Sequence, residues 1–234
     1  MGWTSVCRDS VTLRILNLDD LPPIEFREAP IVDAALVVGR IGRHESQLFS
    51  SEQDDDFDGF SPQRKAEYAS GRRSAHEAIK LLSGMPAAVK RKGRRPEWPV
   101  GYCGSISHSH EIALAMVASR SVCLGVGLDV VKKNAVSEKV GARIMSTAER
   151  RFSSVYTESD WRAIVFSAKE SVYKAVHPEI GEFLEFRDVE ITLDGSDQIF
   201  TATTVEERPS SSAVHSGIGF ITDFEDHWLT LFLV

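Results

Sequence analysis

Two short stretches hold residue types whose spacing can do chemistry. In FSAKESVYKA, residues 166–175, Glu170 and Lys174 lie one helical turn apart and share a face, with Lys169 beside them. In LGVGLDVV, residues 124–131, Asp129 interrupts an apolar, β-branched run where a hydrophobe is the usual occupant. One carboxylate on a strand and one on a helix, flanked by lysines, can hold a hard cation against a phosphorylated ligand.

The elements that must position these groups are legible nearby. Trp161, Ile164, Val165, Ala168, Val172 and Val176 recur at three- and four-residue steps, which predicts a helix with one buried stripe. Thr157 and Asp160 stand in a capping relation at its start, and His177 with Pro178 predicts its end near Val176. In the strand, Leu124, Val126, Leu128 and Val130 point one way into the core. Gly125, Gly127, Asp129 and Val131 point the other way, and the two glycines are expected to leave room for a ligand beside the carboxylate. EIALAMVA, residues 111–118, is expected to pair with this strand as a hairpin. A short helix is expected over STAERRF, where Glu149 sits three residues after Ser146 and has a capping-box role available.

Anion contacts have candidates upstream. A helix is predicted from an N-cap at Ser61, with Pro62 first, to a stop at Gly84. Arg64 and Arg72 fall about 80° apart around it, so both can reach one phosphate, or both can be solvated surface charge. Lys90, Arg91, Lys92, Arg94 and Arg95 form a basic run, followed by PEWP as an extended loop anchored by Trp98. GSISH then reads as a phosphate-binding turn of small residues, with the Ser107 hydroxyl and the His108 ring; a structural histidine is the plainer alternative. Asp54, Asp56, Asp58 and Gly59 imitate half of a calcium loop, but Lys65 occupies the place of its bidentate glutamate.

Composition bounds the rest. A chain of 234 residues permits one large domain or two joined halves, and 42% hydrophobic residues is ordinary for a globular protein. A net charge of -7 argues against general nucleic-acid binding, so an anion site must come from a local basic patch. No apolar run approaches the roughly 20 residues of a membrane span, and the first residues lack a signal-peptide pattern. Cys7, Cys103 and Cys123 show no metal or disulfide spacing, which points to a reducing cytoplasm. Strand-like FRDVEITL, QIFTATTV, SGIGFITDF and HWLTLFLV close the chain, and their last pair, loosely echoing the predicted hairpin, hints at an internal duplication.

Four ordered pieces, RKAEYASGR (64–72), PEWPVGYCGSISH (96–108), VGLDV (126–130) and FSAKESVYKA (166–175), resemble the 4′-phosphopantetheinyl transferases of the surfactin and enterobactin-synthetase type. The resemblance implies an α+β fold of two similar α/β halves, expected at 1–118 and 119–234. These would form one intimate unit about a pseudo-twofold axis, with coenzyme A in the cleft. It implies transfer of the phosphopantetheine arm to a serine of an apo acyl- or peptidyl-carrier protein, with release of adenosine 3′,5′-bisphosphate. Such carriers serve polyketide, non-ribosomal peptide or siderophore synthases.

By the same resemblance Asp129 and Glu170 bind Mg²⁺. Lys174 and Lys169 assist at phosphate, and Ser107 and His108 meet the coenzyme A phosphates. Arg64 and Arg72, with Arg94 or Arg95, hold the 3′-phosphate, while Glu149 matches a candidate general base. Arg143, Ile144 and Met145 offer a mixed basic and apolar surface for an acidic carrier helix. The departure is Val131, where relatives write a second acid on the face of Asp129. It predicts a raised Mg²⁺ requirement, or at the extreme a coenzyme A-binding protein without transfer; an unrelated Mg²⁺-dependent phosphohydrolase is the other reading. A cytoplasmic monomer is expected, with neither nucleic-acid nor membrane partners.

Overall fold

The computed structural model describes residues 3–8, 11–19, 21–26, 33–53, 55–151, 155–194 and 197–234. Asp54 of the calcium-loop imitation and Phe152 of STAERRF lie outside these. The chain divides into two compact units, Met1–Pro23 with Ile31–Cys123, and Ile24–Pro30 with Leu124–Val234. Just before the division the chain makes a turn in which the Val122 and Cys123 amides both donate to the Ser119 carbonyl, at 3.1 and 3.2 Å.

The first unit runs β1 (Trp3–Arg8), β2 (Val11–Asn17), β3 (Ala34–Arg40), α1 (Asp55–Asp58), α2 (Pro62–Ser83), β4 (Lys90–Lys92), β5 (Arg95–Glu97), β6 (Tyr102–Ser109) and β7 (Ile112–Ser119). Five strands form one sheet in the order β1-β2-β3-β7-β6, in which β2 and β3 are parallel and the other pairs antiparallel. Its inner strands β3 and β7 are buried almost end to end, which is why AALVV and IALAMVA read as continuous apolar runs rather than alternating ones. Helix α2 packs over β7 and β3. Ser61 caps it by accepting from the Arg64 amide at 3.2 Å, Pro62 opens it, and Gly84 closes it, as the sequence predicts.

The second unit runs β8 (Val126–Lys132), α3 (Glu138–Ile144), α4 (Thr147–Arg151), α5 (Glu158–Ile180), β9 (Val189–Leu193), β10 (Ile199–Thr204), α6 (Ser211–Ser216), β11 (Ile218–Phe224) and β12 (His227–Leu233). Its sheet is antiparallel throughout, in the order β8-β12-β11-β10-β9. All six residues of the predicted stripe on α5 are buried, packed with Ile191, Phe200 and Phe232. The helix passes the expected stop and ends at Ile180, with Pro178 inside. In a final turn a proline removes one amide donor, and the Gly181 amide closes the end on the His177 carbonyl at 2.8 Å.

Two expectations are corrected here. GSISH is not a turn: it lies within β6, paired with β7 from Tyr102↔Ser119 to Ser109↔Ile112. The predicted hairpin of 111–118 with 122–131 is likewise absent, since β7 lies between β6 and β3 while β8 pairs with β12 in the second unit. The hint of duplication survives in another form. In each unit a strand, a long helix and a hairpin follow in order, and the strand pairs antiparallel with the second strand of the hairpin: β3 with β7, β8 with β12.

Candidate active site

Asp129 is where the second unit concentrates its polar contacts. Gly125, just before β8, and Gly127 and Asp129 within it face α5, and the helix fills the space at both glycines. A Cβ on Gly127 would stand 1.7 Å from the Ser171 carbonyl oxygen, and one on Gly125 2.3 Å from that of Ala175. The missing side chains bring α5 close enough to set its polar face against Asp129. Lys174 Nζ then donates to Asp129 Oδ1 at 2.6 Å and to the Leu128 carbonyl at 3.1 Å. Ser167, one turn before Glu170, donates its hydroxyl to Asp129 Oδ2 at 2.9 Å and meets the Thr230 hydroxyl at 2.8 Å. Ser167 escaped sequence reasoning, although the i, i+3, i+7 spacing of 167, 170 and 174 places it on the same face.

Glu170 stands half-buried next to this pair. Burial pushes its carboxyl above the ordinary value and the charge of Asp129 adds to the rise, while Lys174 opposes it. Two acids that repel each other and share one lysine form a donor set that Mg²⁺ accepts, because that ion is held by one or two carboxylates together with water and substrate phosphate. A third acid is missing: among the described residues no group of three His, Cys, Asp or Glu converges. Val131, on the Asp129 face, belongs instead to the apolar cluster around Trp161.

Glu149 and Lys169, to which the resemblance gives roles at the site, are engaged chiefly with each other and with backbone. Both are buried and bonded to each other at 2.9 Å. Glu149 Oε2 also accepts from the Ser146 amide at 2.7 Å, its Oε1 accepts from the Ile191 amide at 2.8 Å, and its amide bonds the Ser146 hydroxyl at 3.1 Å. Lys169 Nζ gives its other two protons to the Ile144 and Phe186 carbonyls, each at 2.8 Å. Burial lowers the Lys169 ammonium, with Glu149 opposing. The capping box holds, and a carboxylate so engaged is a structural anchor. The expected carrier surface is corrected, for Ile144 and Met145 are 5% and 3% exposed and only Arg143 of the three faces solvent. A groove of about 560 Å³ opens beside Glu170, walled by Tyr173, Phe183, Leu184 and Phe186, with Arg143 and Arg187 also on its lining.

The first unit contains a cavity of about 360 Å³ lined by Arg64, Arg72, Arg91, Arg94 and His108 against one acid, Glu67. Arg64 Nη1 lies 3.0 Å from His108 Nε2 and 3.3 Å from Glu67 Oε2. Arg72 is buried, stacked 4.4 Å from the centre of the Tyr68 ring and fixed by the Val89 and Lys90 carbonyls at 2.7 and 3.3 Å. Burial lowers its guanidinium from the ordinary value, yet an arginine so placed keeps its charge. Phe60 carries two more guanidinium groups, those of Arg64 and Arg91, at 5.7 and 5.4 Å.

The basic run is therefore a hairpin. Gly93 takes φ 63 at its turn, and the pairing Arg91↔Pro96 and Lys92↔Arg95 sends Arg91 and Pro96 to the cavity and Arg95 to the opposite face. Arg91 stood in the basic run without a role of its own; a K-G-R turn with period-two alternation is the signal that identifies it. Ser107 also faces away, buried on the side of β6 opposite Ile106 and His108.

Both residue sets fall inside known family models. Residues 55–118 match the 4′-phosphopantetheinyl transferase N-terminal domain and residues 125–231 the 4′-phosphopantetheinyl transferase superfamily. The chain belongs to the 4′-phosphopantetheinyl transferase superfamily. It is similar to 4′-phosphopantetheinyl transferase Svp of Streptomyces mobaraensis, 32% identical over 63% of this chain and 62% of that protein. Similarity extends to 4′-phosphopantetheinyl transferase PptT of Mycobacterium tuberculosis, 33% identical over 56% of this chain and 59% of that protein. Enterobactin synthase component D of Salmonella typhimurium is 32% identical over 48% of each chain. The chain thus spans between about half and three fifths of the length of these relatives. Arg64, Arg72, Arg91, Arg94 and His108 lie in the first match, and Asp129, Glu170 and Lys174 in the second.

Proposed function

We propose that this protein transfers the 4′-phosphopantetheine arm of coenzyme A to a serine hydroxyl of an apo acyl- or peptidyl-carrier protein. The observation that carries the reading is the convergence of Asp129, Glu170 and Lys174 where β8 and α5 meet. The serine oxygen bonds to the β-phosphorus, the bond from that phosphorus to the bridging oxygen breaks, and adenosine 3′,5′-bisphosphate leaves. Such a displacement asks for positioning and charge compensation more than for covalent help. Mg²⁺ held by Asp129 and Glu170 would supply charge neutralisation at the pyrophosphate. Lys174 neutralises the same region from the protein side. The serine proton passes to a nearby carboxylate, Glu170 or Glu149, of which Glu149 is the more heavily engaged by Lys169 and two backbone amides.

The cationic cavity serves the 3′-phosphate: four arginines and a histidine fit a phosphate monoester. The groove beside Glu170, with its aromatic and leucine walls, fits the pantetheine chain that extends from the reacting phosphorus. In this reading the protein works as a cytoplasmic monomer. A relative that is a component of enterobactin synthase favours a carrier of an assembly-line synthase.

The test incubates the protein with coenzyme A, Mg²⁺ and a panel of apo carriers. A carrier that gains the arm supports the proposal. Tight coenzyme A binding with no gain by any carrier points to a binding homologue, and phosphate release without a carrier to a phosphohydrolase.

A further inference from the structure

Behind the cationic cavity lies a buried acid that the transfer reaction does not use. Glu52 is 1% exposed, on a short turn that precedes α1 and α2. Its Oε1 accepts from the Val89 amide at 2.7 Å and meets His76 Nε2 at 2.8 Å, while Oε2 accepts from the Phe49 amide at 2.9 Å. Its backbone carbonyl accepts the Tyr68 hydroxyl at 3.0 Å. Two of these contacts, those to Val89 and Tyr68, lead to Arg72. The Val89 carbonyl holds Arg72 Nε, and the Tyr68 ring lies under the guanidinium. Val89 also leads into β4, which carries Arg91 to the cavity wall.

An apolar side chain of similar size would fill the space of Glu52 at lower desolvation cost, so packing alone does not call for a buried carboxylate. A carboxylate joining the amide just before β4 to one helix imidazole fixes the distance between the Val89 backbone and α2, and that distance sets where Arg72 points. Its negative charge also offsets the burial of Arg72.

We propose that Glu52 is the positioning residue of the cationic cavity, acting through Val89 and Tyr68 on Arg72 and through β4 on Arg91, and that it thereby sets affinity for a phosphate monoester. The inference rests on the reading of the cavity as the 3′-phosphate site. Glu52 touches no substrate.

The experiment compares coenzyme A with dephospho-coenzyme A as substrates for the wild type and for Glu52→Gln, which keeps the size but removes the charge and sets an NH2 group against one of the two amides, Val89 or Phe49, that the carboxylate accepts from. The expected result is a KM for coenzyme A raised about tenfold, the effect of losing a charged hydrogen bond, with kcat within about twofold and the KM for dephospho-coenzyme A unchanged. Glu52→Asp, which restores the carboxylate at shorter reach, should recover part of the loss. Equal effects on both substrates, or none on either, would overturn the proposal. Should Glu52→Gln fail to fold, Tyr68→Phe keeps the ring and the carboxylate and severs one link. It should then raise the coenzyme A KM alone, and an unchanged KM counts against the proposal. A wild type that treats the two substrates alike would instead refute the reading of the cavity itself.

Discussion

Glu170 concentrates the chemistry of the second unit in one side chain. Its carboxyl is raised by burial and by Asp129, so it keeps its proton to a higher pH than an exposed glutamate. Cation binding needs the carboxylate, and a falling pH therefore protonates Glu170 while exposed acids are still charged. The Mg²⁺ concentration for half-maximal transfer should rise as pH falls through that raised value, which titrations at stepped pH will read; a requirement flat with pH contradicts the assignment. Val131→Glu restores an acid on the Asp129 face and should lower the Mg²⁺ requirement. Glu149 gives the opposite kind of prediction. Removing it leaves the buried Lys169 ammonium without its carboxylate, so Glu149→Ala should lose about 3–5 kcal/mol of stability in urea unfolding. A variant of wild-type stability with no activity would make Glu149 the base.

At the scale of elements, the two long helices were legible because their signals are local. A hydroxyl cap, a proline at the start, a glycine at the stop and an apolar stripe all lie within one element. Strand pairing was not legible, since a strand sequence states which residues alternate but not which neighbour it takes. EIALAMVA and VGLDVV are consecutive apolar runs, and β6, disguised by GSISH, occupies the edge of β7 that the hairpin would have used. The glycines of β8 misled for a related reason: an absent side chain makes room without naming the occupant, and here it is the backbone of α5. Gly127→Ala should therefore cost about 3 kcal/mol and lower transfer as well, because pushing α5 away separates Lys174 from Asp129. Thermal unfolding and rate together check it, and a stable, active variant would reopen the glycine face as a ligand site. The β4–β5 hairpin predicts that Arg91→Ala raises the coenzyme A KM about tenfold with little change in kcat, whereas Arg95→Ala, on the opposite face, leaves it unchanged.

At the scale of the molecule, four motifs in order were enough to name the superfamily, and Asp129, Glu170 and Lys174 were legible because ionisable residues among apolar ones stand out. The roles of Ser167 beside Asp129 and of Glu52 behind Arg72 were not, because each acquires meaning only through partners distant in sequence. If Asp129, Glu170 and Lys174 carry phosphopantetheine transfer, intact-mass measurement of an apo carrier incubated with coenzyme A, Mg²⁺ and either the wild type or Glu170→Ala will register it. The carrier should gain the mass of one phosphopantetheine arm with the wild type and none with a folded Glu170→Ala. Full modification by Glu170→Ala would contradict that assignment.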